Sequence, residues 1–429
     1  MTPGAVDTAT PESRRRAANS LLEGLARPRI LAAMSPAQPD ELLAALIDVA
    51  LERGALATVV LADLPGIFSF LDDRRTAALR SGDLRLVTLA GAVPAPLARY
   101  VDHVPRTLWD VDRLLASGAL AVDVVVARVH ETSDAARTLG HGSMVGYTTS
   151  AFGLGARVCL EVAREVDAPP GPVIEIGRDW LVLRDEAWEP PAAAGPARAD
   201  AAADEIGRLV AQILPRGADL QLGLGAVPEA VINHLRPEHD VVLRSGILPG
   251  SVLAALLSIT GERTLSGEHH VATGVMPSPA ADLRWSSTAV TLRPVSATHA
   301  PDSLASLPRL WAVNSAFEID LHGQVNAEYA RGIKVASAGG QIDFAQGAHL
   351  SAEGAAVVAI PSRARNGTPR IVAALTPPVN PTSTGGVLDI VVTEQGIARL
   401  TGLTADERAA ALIGLAHPDD RAALRAALC

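Results

Sequence analysis

Arg244, Ser245 and Gly246 end the β-branched run "DVVLRSG", at the place where an α/β enzyme presents its reactive group. Glycine has no side chain with which to attack anything, and no Glu or Asp lies between Asp240 and Glu262. The surroundings nevertheless read as machinery for an anion. Upstream, "LQLGLGAVPEAVINHL" has the pattern strand, glycine turn, helix. Gly223 and Gly225 allow a sharp turn and a close approach to a ligand. Pro228 suits the first turn of a helix, where its missing N–H costs nothing and the remaining free amides suit an anion. The pattern departs from G-x-G-x-x-G, because Pro228 stands in place of the third glycine. The next strand also lacks the acidic end that a dinucleotide ribose would need. On spacing alone, a plain tight βα turn is the better reading.

A second glycine turn lies in "ASAGGQIDFAQGA". There Ser337, Gly339 and Gly340 would expose successive N–H groups as a nest for an oxyanion or phosphate, with Asp343 capping the loop. The bland alternative is a linker between strands. Around the turn, Arg331, Lys334, Arg363, Arg365 and Arg370 gather positive charge in an acidic chain. Such a run is usually a solvated face. Beside two glycine nests it suggests a polyanionic cofactor carrying phosphates.

Three carboxylates are candidates for chemistry: Glu318, Glu328 and Glu394. Glu318 alternates with apolar neighbours and is expected to face solvent or pair with an arginine. Glu394 follows an apolar strand and sits close to Gly396, so capping the next turn is its expected role. The histidines are scattered, with His269 and His270 adjacent and His417 before Pro418. No spacing resembles a metal set.

The elements that must hold these residues alternate. "PDELLAALIDVALERG" has helical spacing, "ATVVLAD", "LRLVTLAG" and "LAVDVVVARVH" read as strands, and the pattern predicts parallel sheets covered on both faces. Residues 186–205 are rich in Pro, Ala and Gly and read as a linker. A second alternating region follows, and Thr404 with Glu407 predicts a capping box on a late helix. The expected organisation is two α/β domains, residues 1–195 and 196–429.

Length and charge bound the rest. The chain has 429 residues and net charge −10 from 37 basic and 47 acidic residues. Neither nucleic acid nor an anionic membrane would attract such a field, so an anionic ligand needs a locally basic pocket. No apolar run approaches a membrane span of ~18 residues. Only two cysteines occur, Cys159 and Cys429, which predicts thiols of a reducing compartment and a cytoplasmic protein. Aromatics make up only 3%, so the cores must come from Ala, Val, Leu and Ile.

Taken together, "LQLGLGAVPEAV", "AVNSAFEIDLHGQVNAE", "SAGGQIDFAQGA", "AIPSRARNGT" and "DIVVTEQGIARLTGLTADERAAALIGLAHPDDR" resemble the acetyl-CoA hydrolase/transferase family of class I coenzyme A transferases. The resemblance is close from about residue 200 to 421 and looser from 40 to 185. It implies two CoA-transferase-like open α/β domains and small acyl-CoA thioesters as substrates. It also implies a carboxylate acceptor, no metal, and a homodimer. In members, a strand after the "GLGAVP"-like turn ends in a glutamate that attacks the thioester and carries the CoA as a glutamyl thioester. Gly223, Leu224, Gly225, Ala226 and Val227 match the CoA-binding turn. Gly339 and Gly340 match the second glycine loop, and Arg365 stands where many members carry lysine.

The departures are as specific as the matches. Gly246 falls on the nucleophile's position, with Ser245 retained beside it. "TSTGGVLDIV" lacks the basic residue common before the last strand, and Asp167 stands where an Asn is expected. The catalytic group is thus unassigned, with Ser245, Glu394 and Glu318 as candidate helpers. Two readings stay open: an enzyme that transfers CoA or hydrolyses the thioester, and a catalytically inactive CoA-ester binder. A nicotinamide or flavin binder is remote, given the missing third glycine and ribose partner.

Overall fold

The computed structural model describes residues 6–35, 37–63, 68–131, 138–164, 168–189, 200–260, 270–276 and 290–428. Expectations placed on Asp167, His269, Cys429 and the boundary at residue 195 lie outside these residues. The chain divides into two compact units, Met1–Ala192 with Arg284–Ser296, and Ala193–Leu283 with Ala297–Cys429.

In the first unit the long path of the sheet runs Val6–Thr8, Leu181–Asp185, Arg157–Ala163, Val124–Glu131, Arg29–Ala32, Ala57–Asp63, Leu84–Gly91, Val101–His103, with parallel pairing throughout. Runs such as Val124, Val125 and Val126 are fully buried, as a sheet covered on both faces requires. The helix Asp40–Glu52 buries Leu42, Leu43, Leu46, Ile47, Val49 and Ala50, the stripe its spacing predicts. A charge cluster lies within this unit. Arg14 donates to Glu161 at 2.6 Å and to Asp185 at 2.8 Å, and Arg128 bonds the same two carboxylates. Charges this deep persist only when paired in this way.

The second unit carries a sheet in the order His270–Met276, Val242–Pro249, Asp219–Leu222, Leu310–Asn314, Ala355–Ala359, Ile390–Thr393, Gly396–Arg399. Only the last strand is antiparallel. The chain first moves outward on one side of Asp219–Leu222, then returns to its other side and moves outward again. The order therefore reverses between Asp219–Leu222 and Leu310–Asn314. Crevices at such reversals, beyond the carboxyl ends of the strands, are where open α/β sheets bind ligands.

Several local expectations change. The strand expected to close at Gly246 continues to Pro249 and pairs with His270–Met276 beyond it, so Gly246 is interior to a strand. Gly246 and Pro249 both lie in that extended backbone, and Gly250 starts the helix Gly250–Thr260. The run "RLWAVNSAFEIDL" is two strands, Leu310–Asn314 and Glu318–Asp320. The end of the expected linker is helical, because Asp200 accepts from the Ala203 amide at 3.0 Å and caps the helix Ala201–Ile213. The capping box of Thr404 and Glu407 is present on Ala405–Leu415. No described helix is long and apolar enough to cross a membrane.

Candidate functional site

The first glycine turn lies at the point where the strand order reverses. Gly223 donates its amide to the Val313 carbonyl at 2.9 Å, tying the turn to the neighbouring strand. A Cβ on Gly223 would lie 3.0 Å from the Asn314 Oδ1. Asn314 is held by a reciprocal amide pair with Gln221, at 2.8 and 3.2 Å, so it cannot easily give way. Gly225 has φ 122° and ψ −175°, a conformation essentially confined to glycine. It begins the helix Ala226–His234, and no side chain caps that end. The amides of Ala226 and Val227 are thus among the orphan donors of a helix N-terminus, carrying its partial positive charge.

A cleft of about 600 Å³ opens against this turn. Its wall includes Leu224 to Pro228, Ser315 beyond the next strand, and four arginines: Arg331, Arg363, Arg365 and Arg370. The arginines differ in commitment. Arg363 is tied to Asp420 by two bonds, at 2.9 and 2.7 Å, and supports the wall. Arg370 donates to the Ala316 carbonyl at 2.9 Å. Burial pulls its guanidinium below the ordinary range, offset in part by Asp200. The Arg365 side chain is 76% exposed, with Nε 3.6 Å from Asp200. Arg331 is exposed and holds φ 53°, a left-handed conformation unusual for a non-glycine residue. Lys334, grouped with the arginines in sequence, instead pairs with Glu328 at 2.7 Å. One acidic residue, Asp200, lines the cleft. Its field is therefore positive, although the chain is acidic.

The second glycine turn begins a helix rather than linking strands. Gly339 has φ 57°, and Gly340 precedes Gln341–Leu350 with no side-chain cap. Asp343 lies buried in the first turn of that helix. A Cβ on Gly340 would sit 2.3 Å from the Nε2 of His299. The same imidazole lies against Gly246, where a Cβ would meet Nε2 at 3.3 Å and Cε1 at 3.4 Å. His299 therefore joins Gly246 to the second glycine loop. Its Nδ1 is 2.8 Å from the Thr298 hydroxyl, which is 2.6 Å from the Thr273 hydroxyl. Its ring meets Phe344 edge-on with centroids 4.8 Å apart. Burial holds the imidazole pKa down at about 3, so the ring is neutral at ordinary pH. No sequence pattern marked His299, because "SATHA" has no motif and Gly246, Gly340 and Phe344 come from a distant strand and helix.

The candidate helpers are occupied elsewhere. Ser245 is buried and donates its hydroxyl to the Leu222 carbonyl at 3.1 Å. Glu318 accepts from Asn326 Nδ2 at 2.8 Å. Glu394 accepts from the Ser362 amide at 2.9 Å and from the Ser362 hydroxyl. Burial raises the pKa of Glu394, but the bonds from Ser362, its own backbone and Gln395 together outweigh it, and the carboxyl ends below its usual value. It anchors the start of the loop that carries Arg363, Arg365 and Arg370. Among the described residues, no group of His, Cys, Asp and Glu is arranged to hold a metal ion.

Comparisons with known proteins give the family and the fold. The family described as acetyl-CoA hydrolase/transferase C-terminal domain matches residues 283–428. The 4-hydroxybutyrate coenzyme A transferase of Clostridium kluyveri is 31% identical over 333 residues, covering 75% of this chain and 76% of that protein. The succinyl-CoA:cyclohexane-1-carboxylate CoA transferase of Geobacter metallireducens is 29% identical, covering 76% and 75%. Among solved structures, RipA from Yersinia pestis superimposes with a TM-score of 0.81 at 25% identity, covering 98% of both chains. A 4-hydroxybutyrate CoA-transferase of Porphyromonas gingivalis gives 0.74 at 24% identity, covering 99% and 97%, which supports the fold.

Proposed function

From a chain that belongs to the acetyl-CoA hydrolase/transferase family, we infer an enzyme acting on small acyl-CoA thioesters, by CoA transfer to a carboxylate or by hydrolysis. The observation that carries the reading is the arginine-lined cleft at the strand-order reversal. It pairs an uncapped helix N-terminus with Arg331, Arg365 and Arg370. Coenzyme A carries a diphosphate and a ribose phosphate, and charge-assisted hydrogen bonds to such groups contribute about 1.5–3 kcal/mol each. Gly223 to Val227 and Arg365 are assigned to the phosphates. Gly339 and Gly340, at the start of a second uncapped helix, are assigned to the thioester carbonyl. One well-aimed donor to a developing oxyanion is worth on the order of 3 kcal/mol, so turnover does not require every element of the family's usual site. The domains assigned are residues 1–195 and 196–429, the latter holding CoA, in a cytoplasmic homodimer.

Gly246 favours a second reading, a CoA-ester binder without turnover, because the position that the family resemblance gives to the nucleophile has no side chain here. One experiment separates the two. Purified protein is incubated with acetyl-, propionyl- or butyryl-CoA, alone and with acetate, succinate or 4-hydroxybutyrate, and loss of thioester is followed. Calorimetry with the same esters runs in parallel. Binding with thioester loss supports the enzyme. Binding with every ester intact supports the binder.

A further inference from the structure

The environment of Gly246 bears on how the thioester is opened, granted that the cleft takes acyl-CoA as above. The backbone at Gly246 lies outside the left-handed region, so conformation does not demand glycine there. What lies in the path of a side chain is the His299 ring, 3.3–3.4 Å from the Cβ position, with Phe344 at 3.7 Å behind it. The ring has little freedom to retreat. Thr298 holds Nδ1, Phe344 packs its edge, and Gly340 has given up its own side chain to admit it. Two backbone elements thus lack Cβ atoms around one imidazole.

We propose that His299 is a specificity-determining residue that fills the space through which a nucleophilic side chain from position 246 would reach the thioester, and so closes the covalent route. In that route a carboxylate oxygen attacks the thioester carbon, the C–S bond breaks, and an anhydride and CoA thiolate form. The thiolate then attacks the protein carbonyl, releasing the acyl carboxylate and leaving CoA on the protein. With His299 in place CoA is never carried by the protein. In hydrolysis, water bonds the thioester carbon and gives up a proton to solvent, the C–S bond breaks, and the departing thiolate is protonated. In transfer, an oxygen of the free acceptor carboxylate bonds the thioester carbon and the C–S bond breaks to leave a mixed anhydride and CoA thiolate. The thiolate then attacks the acceptor's carbonyl, releasing the original acyl carboxylate and leaving CoA on the acceptor. No group is held covalently by the protein at any stage.

The test uses the wild type, Gly246→Glu, His299→Ala and the double variant, each incubated with acetyl-CoA and examined as intact protein by mass spectrometry. The double variant is expected to gain the mass of CoA less one water. It is also expected to exchange labelled acetate into acetyl-CoA at least tenfold faster than Gly246→Glu alone. A full adduct on Gly246→Glu with His299 present overturns the proposal. So does the absence of any adduct on a double variant that binds CoA. Thermal unfolding of Gly246→Ala in both His299 backgrounds reads the steric claim without any ligand. A loss of melting temperature about 2–4 °C larger with His299 present is the coupling expected for a contact of roughly 1 kcal/mol. Equal losses overturn the proposal. Coupling in proteins that show no CoA binding leaves the steric claim standing and overturns the cleft assignment instead.

Discussion

Replacing Gly225 with alanine isolates how much the first glycine turn depends on backbone geometry. At φ 122° and ψ −175° an L-residue is strained by on the order of 1–3 kcal/mol. A Cβ at that position meets nothing within 4 Å, so steric collision adds nothing to the cost. Gly339 offers an internal comparison. It too has open space, but its φ of 57° is the left-handed helical region, which costs an L-residue about 1–2 kcal/mol. The lower entropy of the unfolded chain with alanine offsets both by about 0.4–1 kcal/mol. With each kcal/mol worth about 2–4 °C in a domain of this size, Gly225→Ala should melt several degrees below the wild type and below Gly339→Ala. Calorimetric melting of the three proteins gives the order, and titration with CoA should show weaker binding by Gly225→Ala, whose Ala226 and Val227 amides are re-aimed. Gly225→Ala melting with the wild type, or Gly339→Ala proving the worse of the two, would refute the reasoning.

Arg331→Ala and Arg365→Ala should each weaken CoA binding about 10- to 100-fold, with a shallower salt dependence, when measured by titration across ionic strength. Arg363→Ala should chiefly lower the melting temperature, since it breaks the paired bonds to Asp420. Glu394→Gln tests a carboxyl whose pKa is lowered in the fold. Its contribution is present above the unfolded carboxylate value and is lost as pH falls through the folded one. The melting difference from wild type should therefore be largest near neutrality and vanish in acid. Asp40 has the opposite sign. Burial raises its pKa to about 6, against the opposing pull of the Ser69 bond and Arg128. Its ionised form costs stability above that pH, so Asp40→Asn should raise the melting temperature at pH 8 and lose the advantage below about pH 4.

The readable parts of this protein were those whose signal is local. Gly225 and Gly339 sit in backbone conformations that few other residues adopt, and a positive cluster stands out in an acidic chain. Arg331, Arg363, Arg365 and Arg370 therefore could be grouped from sequence alone, and they share one cleft. Lys334 could not be told apart from them, because its partner Glu328 is chosen by a hairpin rather than by a charge pattern. Glu394 was expected to cap the turn that follows it, whereas its bonds to Ser362, 32 residues away, have no local signal in the sequence. Gly246 looked like the end of a strand because glycine and proline follow it closely, yet pairing with His270–Met276 carries the strand on. His299 was invisible for a different reason. Its meaning lies in the two missing Cβ atoms around it, at Gly246 and Gly340, and only the folded sheet brings those three residues together.

The central claim is that the cleft beside Gly225 takes the phosphates of an acyl-CoA, and a crystal structure of the protein soaked with acetyl-CoA tests it most directly. The account predicts a phosphate group against the Ala226 and Val227 amides and within reach of Arg331, Arg365 or Arg370. It also predicts the thioester directed toward Gly340 and His299. CoA bound elsewhere, or that cleft left empty at saturating ligand, would contradict it.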